Sequence, residues 1–79
     1  MNESHQWQVL SRADCSLCDT MLLELHQLLG ARAAGIQVLD ISEDADLQRK
    51  YGSRIPVLLI DGECVCTYKL DHQRVRMYL

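Results

Sequence analysis

Apolar and polar positions along this 79-residue chain form short patterns, each ended by a polar or glycine-containing break. Residues 6–10 place Trp7, Val9 and Leu10 in a short apolar run, which predicts a first strand. Residues 15–29 carry Leu17, Met21, Leu25 and Leu28 at spacings of four, four and three, one apolar stripe of a helix. Asp14 or Cys15 can cap that helix and Gly30 can stop it. Residues 36–41 read as a second strand. Residues 42–51 read as a short second helix: Glu43, Asp44 and Asp46 crowd its start and Arg49 and Lys50 its end, the order a helix dipole favours. Leu47 and Tyr51 give its apolar side and Gly52 its end.

A third strand is expected over residues 56–60, opening at Pro56, where a missing amide donor is tolerated. Asp61-Gly62 is a two-residue hairpin signal of type I′. It leads into a fourth strand over residues 63–68. Asp71 can cap a last helix over residues 71–79, with Val75, Tyr78 and Leu79 inward. The order β-α-β-α-β-β-α predicts an α/β fold in one domain, residues 1–79. The helical crossover makes the first two strands parallel, and the hairpin makes the last two antiparallel. One four-stranded mixed sheet flanked by three helices satisfies both demands.

Composition narrows the function. A chain this short buries only ~60% of its unfolded surface, so its core is thin. The net charge is −3 and the Lys and Arg residues are scattered, leaving no basic stripe for nucleic acid. No apolar run approaches the ~18 residues that span a bilayer. Residues 1–6 lack the basic start and apolar core of a secretory leader. A cytoplasmic protein is expected, and in that compartment four cysteines point to redox chemistry or metal rather than a structural disulfide framework.

Cys15-Ser16-Leu17-Cys18 concentrates that chemistry. A strand running into a helix through C-x-x-C puts the first sulfur at the helix N-terminus. Unpaired amides and the positive end of the dipole favour a thiolate there. The second sulfur lies one turn on, with Cβ atoms ~5–6 Å apart, a separation suited to a reversible disulfide. Cys15 is therefore the expected attacking thiolate and Cys18 the more buried resolving thiol. Asp14 would raise the Cys15 pKa and an inward Arg12 would lower it. The expected balance lies below the free value of ~8.5.

Other residues carry weaker signals. Arg12 and Arg54 flank the expected cleft and can bind a substrate carboxylate; solvated surface arginines fit the same positions. Trp7, Tyr51 and Tyr68 fall at inward positions and read as packing residues, and no role falls to His5, His26 or His72. Cys64 and Cys66 sit on one strand, facing one side with Cα atoms ~6.6 Å apart. The hairpin would set Cys64 opposite Leu59 and Cys66 opposite Val57, both core positions. Their parallel side chains argue against a four-cysteine zinc site with Cys15 and Cys18. An auxiliary redox role for Cys66 stays open.

The chain resembles the thioredoxin superfamily, and within it the small glutaredoxin-like proteins. The likeness rests on C-S-L-C at the first strand–helix junction, Arg54-Ile55-Pro56-Val57 opening the third strand, and the Asp61-Gly62 hairpin. The resemblance implies a cis Ile55–Pro56 bond beside the active-site sulfurs, with the Ile55 backbone open to substrate. It also implies a role for Asp71, at the acidic position that helps hold glutathione. Thr67 and Tyr68 stand where that family carries a glycine pair, and Thr-Tyr does not permit the same close backbone approach. No cofactor is therefore expected, and the altered glycine pair argues against glutathione. The function implied is a thiol–disulfide oxidoreductase acting on a disulfide-containing protein or a low-molecular-weight thiol. The expected state is a monomer, with neither nucleic acid nor membrane as partner. A metal or iron–sulfur module, or a redox-sensing adaptor, would use the same thiols.

Overall fold

Four strands form a single mixed sheet in the order β2-β1-β3-β4. They are β1 (Trp7–Ser11), β2 (Gln37–Asp40), β3 (Val57–Ile60) and β4 (Glu63–Thr67). The computed structural model describes residues 5–79; residues 1–4, on which the reading against a leader partly rests, lie outside them. β1 runs parallel to β2, with Val9 opposite Val38, and antiparallel to β3, with Val9 opposite Leu58. Asp61 (φ 53°) and Gly62 (φ 84°) join β3 to β4; both central residues have positive φ, as a type I′ turn requires.

Three helices cover the sheet: α1 (Ser16–Leu29), α2 (Ala45–Tyr51) and α3 (His72–Arg76). Short 3-10 turns at Gly30–Gly35 and Ile41–Glu43 precede β2 and α2. The thioredoxin-like arrangement read from the sequence is thus the one the chain adopts. The two faces of the sheet bury different sets. Val9, Leu58 and Ile60 pack with Met21 and Leu25 of α1 and Val75 of α3. Leu10, Val57 and Leu59 pack with Ile41, Tyr51 and Ile55, and this second cluster takes in Cys18 at the start of α1. α1 therefore touches both cores, and its first turn is held from below by the sheet.

Four expectations need correction. The α1 stripe is Cys18, Met21, Leu25 and Leu29, one residue off the expected set at both ends; Leu17 is exposed and Leu28 only half-buried. Both sets fit a helical period, and the apolar environment beneath Cys18 decides between them. α2 starts later than expected, because the Asp44 carboxylate accepts from the amides of Asp46 and Leu47 and so caps it there. Leu79 is exposed, since α3 ends at Arg76 before a full second turn can carry it inward. Finally, a bulge shifts the hairpin register: Cys64 does oppose Leu59, but Cys66 opposes Leu58 instead of Val57. The extra residue, Val65, is buried beside Cys66, so β4 buries two consecutive side chains.

Two exposed carboxylates link fold and pH. Asp40 is held below the usual carboxylate range by the Ser42 hydroxyl (2.7 Å) and amide (2.9 Å). Asp61 is held low by the Gln6 amide (2.8 Å) and by His5, whose Nδ1 lies 2.6 Å away. A carboxylate whose folded pKa is depressed stabilises the fold above its unfolded value, and that stability is lost as pH falls through the folded pKa. The urea midpoint should therefore fall as the solution is taken below pH ~4. An Asp40→Asn, Asp61→Asn double variant should show a shallower acid slope.

Candidate functional site

β1 ends at Ser11, and the chain turns through Asp14, whose left-handed backbone (φ 59°) brings Cys15 to the head of α1. Cys15 is the N-cap: it has extended geometry, and its Sγ accepts from the Cys18 amide at 3.2 Å. A cap is ordinarily a hydroxyl or carboxylate oxygen, so here a sulfur takes the position that rewards negative charge. Cys15 and Cys18 are joined as a disulfide with Cα atoms 5.2 Å apart. Their surroundings differ. Cys15 is half-buried at the edge of the Leu10–Tyr51–Ile55 cluster, whereas Cys18, 2% exposed, lies within it. One sulfur is reachable and the other is enclosed.

The Ile55–Pro56 bond is cis, as the resemblance implied. Ile55 packs in the same cluster as Cys15 and Cys18, which brings the proline segment and the cysteine pair together. Ile55 and Pro56 are both buried as whole residues, so the segment is enclosed beside the cysteine pair. Tyr68 ties this segment to the end of β4: its amide donates to the Pro56 carbonyl (2.9 Å) and its hydroxyl to the Ser53 carbonyl (2.8 Å). Tyr68 was expected to pack inward. Instead it holds φ 67° and is 47% exposed, because the left-handed backbone after Thr67 swings its ring off the sheet. With Leu17, 44% exposed, it borders a groove of about 390 Å³ that runs past Glu24 and Leu70. The sequence reading missed Leu17 and Tyr68 as surface residues; Leu17's place between the two cysteines was the signal available.

The charged candidates do not converge on the disulfide. Arg12 borders a separate recess of about 310 Å³ with Ser42 and Gln48. Arg54 lies over the Tyr51 ring (5.7 Å) and donates to the Lys50 carbonyl (3.0 Å). Its recess, about 430 Å³, lies along β4 and is shared with Asp71, Cys64 and Cys66. Asp71 caps α3 through the Arg74 amide (3.2 Å). Cys66 is buried and accepts from the Asp71 amide (3.2 Å); burial pushes its thiol pKa up. Cys64, by contrast, is exposed, correcting its expected place in the core. The bulge explains the split, because Leu58 and Leu59 face opposite sides of the sheet and so do the cysteines paired with them. Among the described residues no group of three or more His, Cys, Asp or Glu is placed to hold a metal ion. No described helix is long and apolar enough to cross a membrane.

Comparison with known proteins agrees with this geometry. The family model described as Glutaredoxin-like domain (DUF836) matches residues 6–79. An uncharacterized protein of Mycobacterium tuberculosis is 28% identical, over 90% of this chain and 78% of its own. The solution structure of protein Ne2328 from Nitrosomonas europaea superposes with a TM-score of 0.84 at 30% identity, covering 100% of this chain and 99% of that one. The X-ray structure of the structural genomics target XcR50 from X. campestris gives 0.63 at 30% identity, covering 91% and 92%. With its cysteine pair at the head of α1 beside a cis proline, on a thioredoxin-like sheet, this chain belongs to the glutaredoxin-like family of the thioredoxin superfamily.

Proposed function

We propose that the protein is a thiol–disulfide oxidoreductase whose working couple is Cys15–Cys18. The observation that carries the reading is the asymmetry of the pair: a half-buried sulfur capping a 14-residue helix, with an amide 3.2 Å away, and an enclosed partner one turn on. In the reduced protein the Cys15 thiolate attacks a substrate disulfide. A Cys15–substrate disulfide forms, the substrate S–S bond breaks, and one half leaves as a thiolate that takes a proton from solvent. Cys18, as thiolate, then attacks the Cys15 sulfur, closing the intramolecular disulfide and releasing the second half. The substrate gains two electrons and the protein loses two. A thiol donor restores the dithiol.

We assign the Ile55–Pro56 segment, whose Ile55 packs with Cys15 and Cys18 in one cluster, to the substrate side of the site; Arg12 lines a separate recess and takes no part in it. Leu17 and Tyr68 add apolar surface, which favours a protein disulfide over a small polar one. The reading puts the work in a reducing compartment, the cytoplasm, where a dithiol is kept available. Trapping tests it. A Cys18→Ser variant lacks the resolving thiol, so incubation with a disulfide-containing polypeptide should leave a stable mixed disulfide on Cys15, seen by intact mass. An adduct equally stable in the unsubstituted protein would overturn the assignment of Cys18.

A further inference from the structure

Tyr68 is a bulky residue held at φ 67°, a conformation that glycine adopts without strain and tyrosine rarely takes. Such a conformation persists only where the surrounding structure imposes it. Burial of the ring does not impose it, because Tyr68 is 47% exposed. Its hydrogen bonds do. The amide donates to the Pro56 carbonyl (2.9 Å) and the hydroxyl to the carbonyl of exposed Ser53 (2.8 Å), so one residue bridges both ends of the stretch from Ser53 to Pro56. That stretch contains Ile55, and Tyr51 and Val57 lie on either side of it. All three belong to the cluster that encloses Cys18 and takes in Cys15 only at its edge. The Arg54 amide ties the same stretch to the Tyr51 carbonyl (2.7 Å).

We propose that Tyr68 is a positioning residue for the cysteine pair: by pinning Ser53 and Pro56 it keeps Ile55 in the cluster around Cys18, so that Cys18 is shut off from outside reagents while Cys15 stays reachable. The proposal rests on the reading of Cys15–Cys18 as the working couple. Enclosure matters to that cycle. A sealed Cys18 can attack only the Cys15 sulfur beside it, whereas an open one can be captured by a second disulfide before it resolves the first. Reagents reach Cys18 when the segment lifts, a local opening whose population is set by the contacts that hold it shut. The left-handed backbone at Tyr68 aims the amide at Pro56 and the ring toward Ser53, which is what the strain secures.

The test uses Cys15→Ser protein, in which an alkylated Cys15 cannot crowd Cys18 and turnover plays no part. Failure of the redox reading, scored by the Cys18→Ser trapping, is therefore separate from failure here. Iodoacetamide labelling of each remaining cysteine is followed by peptide mapping. Cys64 is exposed and reports the strength of the reagent; Cys66 is buried in the other cluster and reports general loosening. Adding Tyr68→Phe removes only the hydroxyl and should speed Cys18 labelling about fivefold, the worth of one hydrogen bond, with Cys64 and Cys66 unchanged. Tyr68→Gly keeps access to the left-handed backbone but loses the ring, and should speed Cys18 labelling at least as much. Should Tyr68→Gly fail to fold, Tyr68→Phe decides alone. Cys18 labelling that stays unchanged, or that rises only together with Cys66, would overturn the proposal.

Discussion

Replacing Cys15 by serine is expected to reduce disulfide reduction to the uncatalysed rate, a drop of about a thousandfold or more, as is usual when a nucleophile is lost. The hydroxyl of serine can still cap α1 and accept from the Cys18 amide, since serine is a favoured N-cap. The variant should therefore keep its fold and match the melting behaviour of the reduced unsubstituted protein, which likewise lacks the Cys15–Cys18 bond, while losing turnover. That separation is what makes the expectation informative, and a turnover assay beside a urea titration measures both. Residual reduction within a few fold of the unsubstituted protein would move the chemistry away from Cys15. Cys64 would then be the first thiol to suspect, because it alone of the other two free sulfurs is exposed.

The second large effect is on stability. Leu25 is fully buried on the inner face of α1, against the sheet that also seats Cys18. Truncation to alanine removes that packing and leaves a cavity, which costs about 2–5 kcal/mol at buried leucines. For a domain of this size the total stability is on the order of 4–12 kcal/mol, so Leu25→Ala removes a large part of it. Leu23 lies on the outer face of the same helix and is exposed. Leu23→Ala should change stability by no more than ~0.5 kcal/mol. The pair differ in burial but share residue type and helix, so urea titration of the two isolates packing from propensity. Similar losses at both sites would mean that α1 is held by something other than its inner stripe.

The ease with which this fold can be read varies along the chain. The element order and the Asp61-Gly62 turn rest on local rules, namely periodicity and positive φ, whereas the α1 cap, open between Asp14 and Cys15 in the sequence, is settled at Cys15 by the structure. Those rules act within a few residues, so the sequence carries them in full. Register is different. Cys64-Val65-Cys66 is apolar throughout, and no alternation marks where a bulge falls. The slip that sets Cys66 against Leu58 depends on how β4 twists at the edge of the sheet. Leu17 and Cys18 present the same ambiguity, since each continues a helical stripe and only the cluster beneath α1 selects Cys18. Tyr68 leaves its inward position because the backbone takes a conformation that tyrosine rarely adopts, and composition gave no sign of it.

The candidate site divides along the same line. The cysteine pair and the proline segment were legible because each is a compact motif, and the fold brings them into one cluster. Arg54 was placed by its sequence neighbours and Asp71 by the resemblance; the fold sets both at the β4 edge, beside Cys64, which was expected in the core. Long side chains and edge geometry are settled by tertiary structure, so the grouping along β4 could not be assembled from spacing alone.

The proposed chemistry comes down to the charge state of one sulfur. In fully reduced protein, the rate of Cys15 alkylation against pH, followed by peptide mapping so that Cys64 is scored separately, should rise with a midpoint clearly below the free thiol value of ~8.5. A midpoint at or above that value would show that the cap and the helix dipole do not ionise Cys15, and would contradict the account.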